Sequence, residues 1–216
     1  MPDIHYLGHA SVRVKGKEGA VITDPFARSN IYDIGKPVAH IVTLSSVDPR
    51  RFDPEVVSPA AERVFVVDGP GEFEVGGIMV NGIRTYRDRA KGAERGRNTV
   101  YVLHLDDLTF CHLGDLGHEL SAHQLEEIGS IDVLFVPAYS QLTPAELTEV
   151  ISALEPRVVV PLYDQQIQLD RLAHELGIKE WEAQEKLSVT PASLPAEGEE
   201  TRVVIMQPSS KLMAVR

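Results

Sequence analysis

Residues 109–118, Thr-Phe-Cys-His-Leu-Gly-Asp-Leu-Gly-His, bring together side chains that could do chemistry. An apolar run leads out to one carboxylate, Asp115, held between Gly114 and Gly117. Glycine on either side allows φ > 0 and lets another group approach the backbone closely. A carboxylate presented in this way at a strand end suits a metal or an acid/base site. An aspartate in a turn also bonds its own backbone readily, and both readings stay open at this point. His112 and His118 flank the turn as further donors, although a three-residue spacing out of a strand does not place both on one face.

What positions these residues has to come from the rest of the chain. With 216 residues, 43% of them hydrophobic, the sequence can bury a full core as one domain, residues 1–216. Acidic residues outnumber basic ones 32 to 21, a formal net charge of -11, and no run of Lys/Arg makes a basic stripe. That argues against nucleic acid as a partner, because phosphate contacts need clustered cations. The single cysteine, Cys111, cannot form an internal disulfide, which fits a reducing compartment. The N-terminus lacks the basic and apolar regions of a secretion signal, and no apolar run approaches the ~20 residues of a membrane span. The expectation is a cytoplasmic protein without a membrane partner. The oligomeric state stays open.

Taken in order, residues 4–14 alternate loosely around Gly8, 16–19 make a turn and 20–23 form another strand. This pattern predicts a hairpin that ends where Asp24-Pro25 forces the chain out of the sheet. Further strands are expected at 39–43 and 63–67, the second followed by a sharp turn at 69–72. Residues 73–80 and 83–86 are expected to pair around Asn81-Gly82, a favoured hairpin turn. Residues 87–97 carry five basic side chains and no apolar period, which predicts a mobile surface loop. Another hairpin joins 99–105 to 108–113. A helix at 121–128 takes Ser121 as N-cap, and 132–137 is an apolar strand. Thr143-Pro-Ala-Glu146 starts a helix that runs to about 154, with Thr as cap, proline at the first position and glutamate at the third. A buried strand at 157–161 and a helix at 170–176, stopped by Gly177, follow. Residues 186–190 and 202–207 are expected to close the chain as a hairpin. A β-rich first half followed by alternating strands and helices implies two sheets packed face to face with helices outside.

The series Tyr6-Leu-Gly-His-Ala-Ser11, Ile22-Thr-Asp-Pro25, Val42-Thr43 with its loop, Gly69-Pro-Gly-Glu72, His112-Leu-Gly-Asp115 and Val158-Val-Val-Pro161 resembles the metallo-β-lactamase superfamily. It looks most like the small bacterial metal-dependent hydrolase branch that includes the ascorbate-6-phosphate lactonases. The resemblance covers nearly the whole chain, with six segments in the family's order. It implies an α+β fold, the αββα sandwich of two mixed β-sheets flanked by helices.

The departures concern the metal ligands that the resemblance implies. Where the family carries His-x-His-x-Asp-His after Val-Thr, this chain has Leu44, Ser45, Ser46, Val47, Asp48 and Pro49. Arg87 and Tyr163 stand where two further histidines are expected, while Asp115 matches the aspartate that bridges the metals. His9 and Glu72 match motif positions and are read as supporting residues. Zinc catalysis needs about three protein ligands and an open position for water. Leu44 and Pro49 cannot donate, Ser46 is a poor neutral ligand, Tyr163 would have to lose a phenolic proton, and Arg87 keeps its positive charge.

Two function classes follow. In the first the chain is a non-catalytic member of the fold that binds a small molecule or a protein, with no cofactor, and Leu44, Ser46, Asp48, Pro49, Arg87, Asp115 and Tyr163 line its pocket. In the second it is a working hydrolase. That would use either a reduced zinc or manganese site drawn from Asp48, Asp115, His112 and His118, or metal-free acid/base work among Asp48, Asp115 and Tyr163.

Overall fold

The structure is a computed structural model and describes residues 1–29, 31–46, 48, 52–196 and 198–212. The chain opens with β1 (Asp3–Gly8), β2 (Ser11–Lys15) and β3 (Ala20–Thr23), an antiparallel meander. Short strands β4 (Tyr32–Asp33) and β5 (Val38–Ala39) lead to β6 (Ile41–Thr43), and β7 (Ser58–Pro59) precedes β8 (Phe65–Val67). Then come β9 (Gly71–Val75), β10 (Ile78–Tyr86), β11 (Arg97–Leu105) and β12 (Leu108–His112). The second half alternates: α1 (Ala122–Ile128), β13 (Val133–Pro137), α2 (Pro144–Leu154), β14 (Val158–Leu162) and α3 (Gln166–Glu175). Three short strands, β15 (Leu187–Ser188), β16 (Arg202–Val203) and β17 (Lys211–Leu212), finish it.

These strands form a six-stranded sheet, β15-β1-β2-β3-β6-β8, and a seven-stranded sheet, β16-β14-β13-β12-β11-β10-β9. Alternation along each strand divides the side chains between two apolar layers. Val133, Phe135, Val158 and Val160 face the first sheet and meet Ile4, Tyr6, Val12 and Ile41. Leu134, Val136 and Val159 face the other way and meet Ile128, Leu147, Ile151 and Leu154, with Leu172 of α3. All three helices therefore cover the outer face of the second sheet. Across the outer face of the first sheet lie Leu44, Phe52 and Val57, carried by the connection between β6 and β7. Among the described residues no helix is long and apolar enough to cross a membrane.

The α+β sandwich is as the sequence implies, and the caps of Ser121 and Thr143 both close as capping boxes. Three local expectations are corrected. Asn81-Gly82 does not turn the chain: β10 runs straight through it, and the turn back to β9 falls at Gly76-Gly77, with φ of 62° and 88°. Glycine is needed at 82 because a Cβ there would stand 2.6 Å from the Gly69 carbonyl oxygen. The closing segments do not pair as a hairpin. β15 joins β1 in one sheet and β16 joins β14 in the other, because each fills a free edge. Residues 88–95 are wrapped around the buried Asp88 carboxylate, which accepts the amides of Gly92, Glu94 and Arg95 at 2.8, 3.2 and 2.6 Å, so the loop is tied down rather than loose.

Candidate functional site

Strands β12, β13 and β14 run parallel, and β10 shares their direction through two antiparallel steps. Their carboxyl ends therefore deliver Arg87, Asp115, Tyr139 and Tyr163 to one rim. The parallel strands β3 and β6 of the other sheet deliver Asp24 and the segment from Leu44. The two sheets are locked together there. Thr99 N–H donates to the Ser45 carbonyl at 2.8 Å, and the Tyr101 hydroxyl donates to that of Leu44 at 2.9 Å. A Cβ on Gly114 would stand 2.6 Å from that of Ser45, so the closeness of the two strand ends requires glycine at 114, whose φ is 64°.

Asp115 is the centre of this rim, with its residue 3% exposed. Its amide donates to Asn98 Oδ1 at 2.9 Å, and the Asn98 amide group donates to Thr85 Oγ1 at 2.7 Å and to the Leu113 carbonyl at 2.9 Å. The turn is thus fixed by one buried asparagine. Arg87 Nε donates to Asp115 Oδ2 at 2.9 Å, Arg87 Nη1 donates to the Arg95 carbonyl at 3.1 Å, and Arg95 Nη2 lies 3.8 Å from the same Asp115 oxygen. Two more contacts grip the end of β10. Gly117 N–H donates to the Tyr86 carbonyl at 3.0 Å, and Tyr86 N–H donates to His118 Nε2 at 3.0 Å.

The remaining candidates occupy distinct surroundings. His118 uses both ring nitrogens, because Nδ1 donates to the Glu119 carbonyl at 2.6 Å. His112 is wholly buried between the sheets. Its Nε2 donates to the Ala10 carbonyl at 2.8 Å, while Nδ1 lies 4.0 Å from Asp24 Oδ2, and burial lowers its pKa to about 4. Tyr163 packs on Tyr6 in the inter-sheet core and donates its hydroxyl to the Met206 carbonyl at 3.1 Å. Burial raises its pKa, so the phenol keeps its proton. Leu44 belongs to the apolar layer outside the first sheet. Ser46 follows it with a buried hydroxyl that has no hydrogen-bond partner among the described residues. Asp48 is partly buried and accepts the Phe52 amide on its carbonyl at 3.2 Å. Pro49 lies outside the described residues.

The structure gives Asp24 and His9, which the sequence placed only within motifs, definite partners, and it adds Tyr139. Asp24 holds Ser45 through its backbone N–H and its hydroxyl, both at 2.6 Å, from a backbone with φ of 42°. Tyr139 donates to the Gly114 carbonyl at 3.3 Å, and its pKa is pushed well up by burial and by the negative charges of Asp115 and Asp24. His9 Nδ1 meets Asp164 Oδ1 at 2.6 Å and Nε2 meets Ser29 Oγ at 3.2 Å, an order of carboxylate, imidazole and hydroxyl found in nucleophilic relays. Ser29 Oγ, however, accepts the amides of Ile31 and Tyr32 at 3.2 and 2.9 Å, which engages the lone pairs a nucleophile would need. The relay is a turn lock. The signals for Asp24 were the Asp-Pro break after β3 and its place in the Ile22-Thr-Asp-Pro25 motif; nothing in sequence marked Tyr139.

With this geometry in view, the beta-lactamase superfamily domain matches residues 3–163. The chain belongs to the metallo-β-lactamase superfamily. Among solved structures it is similar to a candidate Zn-dependent hydrolase of this superfamily from Thermotoga maritima, with 29% identity, a TM-score of 0.72, and coverage of 95% of this chain and 99% of that one. A candidate metal-dependent hydrolase from Parabacteroides distasonis matches at 17% identity and TM-score 0.62, over 94% and 93% of the two chains. An isothiocyanate hydrolase from Delia radicum gut bacteria matches at 12% and 0.62, over 98% of each. No curated protein matches the sequence.

The superfamily's metal chemistry can be tested against the donors present. Among the described residues no three His, Cys, Asp or Glu side chains stand where they could share one metal ion. The best-placed carboxylate, Asp115, already faces two guanidinium groups. The described residues do not fit a zinc centre.

Proposed function

We propose that this superfamily member has an eroded metal site, that a guanidinium–carboxylate latch stands in the metal's place, and that the protein binds or regulates rather than hydrolyses at this rim. The observation that carries the reading is the 2.9 Å bond from Arg87 Nε to Asp115 Oδ2. Arginine keeps its charge at any ordinary pH, so it neutralises the carboxylate permanently and repels an incoming cation. The alternative, a hydrolase built on Asp48, Asp115 and Tyr163, has less support, because the Tyr163 hydroxyl is engaged by the Met206 carbonyl. The likeness to the Thermotoga protein supports the fold; a zinc requirement would need its own donors.

Metal analysis tests the proposal directly. Protein produced in medium supplemented with zinc, manganese and iron, and purified without chelator, is expected to carry none of them in stoichiometric amount. Its thermal unfolding should not change on adding a chelator. A stoichiometric content of any of the three would overturn the proposal.

A further inference from the structure

At the end of the sandwich opposite the rim, a groove of about 1110 Å³ runs into a second of about 320 Å³, and the two share Leu176, Glu200, Thr201 and Val203. Its floor includes β16, the edge strand of the seven-stranded sheet. Arg202 and Val204 donate their amides inward to the carbonyls of Arg157 and Val159 at 3.0 and 2.9 Å. Strand alternation then turns the peptide groups of Val203 outward, along the open edge. Just beyond it the chain shows what such an edge accepts. Gln184 lies alongside as a single-residue parallel bridge, donating to the Ile205 carbonyl at 2.9 Å and accepting from Gln207 N–H at 3.0 Å. Residues 178–183, ahead of Gln184, form no strand, and among the described residues no backbone hydrogen bond is made to Val203 on its outward side.

The lining chemistry favours one kind of occupant. Glu155, Glu180, Glu182, Glu199 and Glu200 surround the groove. Among the described lining residues the one cation, Arg157, is engaged by Asp132 at 2.9 Å and by the Pro195 carbonyl at 2.6 Å. Trp181 stands at the edge, 38% exposed, where an apolar ring over a polar groove is a frequent anchor for a bound chain. We propose that this groove docks an extended, lysine- or arginine-bearing segment of a partner protein, which adds beside β16 while its cations pair with the glutamates and its apolar residues cover Trp181. Main-chain bonds would supply the affinity and the charges the choice of partner. This groove lies on a different face from the Asp115 rim.

Trp181 is the chain's only tryptophan, so its emission reports on the groove without a label. The test titrates the full chain with a short capped peptide of alternating lysine and valine, then with its glutamate–valine counterpart. A third peptide is the lysine form with alternate amides N-methylated, which keeps the charge and cannot extend a sheet. The expected result is a saturable blue shift with the lysine peptide and none with the glutamate peptide. Affinity should fall at least ~10-fold on N-methylation, on Val203→Pro, and on changing the lining glutamates to glutamine together. Val203→Pro removes an outward donor and leaves both inward bonds; if it alters thermal unfolding, the N-methylated peptide alone decides. Absence of a saturable shift with the lysine peptide, or equal binding of its N-methylated form, would overturn the proposal.

Discussion

Arg87 Nε lies 2.9 Å from Asp115 Oδ2 with the two side chains 13% and 5% exposed, so a permanent cation and a carboxylate share a nearly dry site. Removing one partner of such a pair leaves the other charge buried and uncompensated. Arg87→Ala is expected to cost about 3–5 kcal/mol. Urea unfolding measures it, and Arg87→Ala/Asp115→Ala should lose less than the two single changes add up to, because neither charge is then stranded. A single variant as stable as the parent would remove the latch as an explanation of how this rim holds together.

A buried histidine gives stability an acid limb. His112 is wholly buried and its pKa is lowered from 6.5 to about 4 by desolvation. Above pH 6.5 both folded and unfolded chains carry it neutral. Between about 6.5 and 4 the unfolded chain binds the proton and the folded chain does not, so stability falls as pH falls, by about 3 kcal/mol in all. His5, lowered from 6.5 by its partial burial, adds in the same direction over the same range; Glu146 contributes its loss only below 4.5, and Asp3 and Asp106 only below 3.8. Urea midpoints collected across this range should decline for the parent and decline less for His112→Gln. Parallel profiles would show that His112 is not the group responsible.

The Asp88 carboxylate organises the basic loop through the amides of Gly92, Glu94 and Arg95. Native-state trypsin digestion should therefore cut slowly after Arg89, Lys91 and Arg95, and Asp88→Ala should be cut at least ~10-fold faster, since cleavage follows local opening. Equal cleavage of the two proteins would mean that the carboxylate does not hold the loop.

Gly117 tests the packing of the turn against β10. A Cβ there would lie 2.2 Å from the Arg87 carbonyl oxygen, and that neighbour is backbone. Gly117→Ala should destabilise by about 1–3 kcal/mol. It should also raise the exposure of the Arg87 amide to hydrogen exchange, which a remote loss of stability would not single out. Unchanged stability would mean the two segments can separate freely.

Several features were legible because they are local. Ser121 and Thr143 cap helices with the residue three positions on, a rule that needs no tertiary partner. Asp115 was legible as a carboxylate held between two glycines at a strand end, whereas Arg87 was marked only by the resemblance, as the residue standing where the superfamily has a histidine. What escaped depends on which strands lie opposite. The Asn81-Gly82 turn signal yielded to the Gly76-Gly77 turn, because Gly82 is there to let the Gly69 carbonyl approach. Asn98, Tyr139 and the Asp24–Ser45 contact act only once the sheets are stacked, and no spacing along the chain records that stacking.

Arg87→His removes the guanidinium and returns an imidazole beside Asp115, yet zinc needs about three protein ligands at once. The neighbours do not supply them. Leu44 sits in an apolar layer, His112 and His118 have Nε2 engaged by Ala10 and Tyr86, and Tyr163 is bonded to the Met206 carbonyl. Arg87→His should therefore bind zinc no more tightly than the parent in competition with a chromophoric chelator. Combined substitution of histidine at 44, 46, 49, 87 and 163 is where affinity is expected to appear, because the resemblance to the superfamily implies ligands at those five positions. Tight binding by the single variant would show that the other ligands are already assembled around Asp115, and that the arginine alone keeps the metal out.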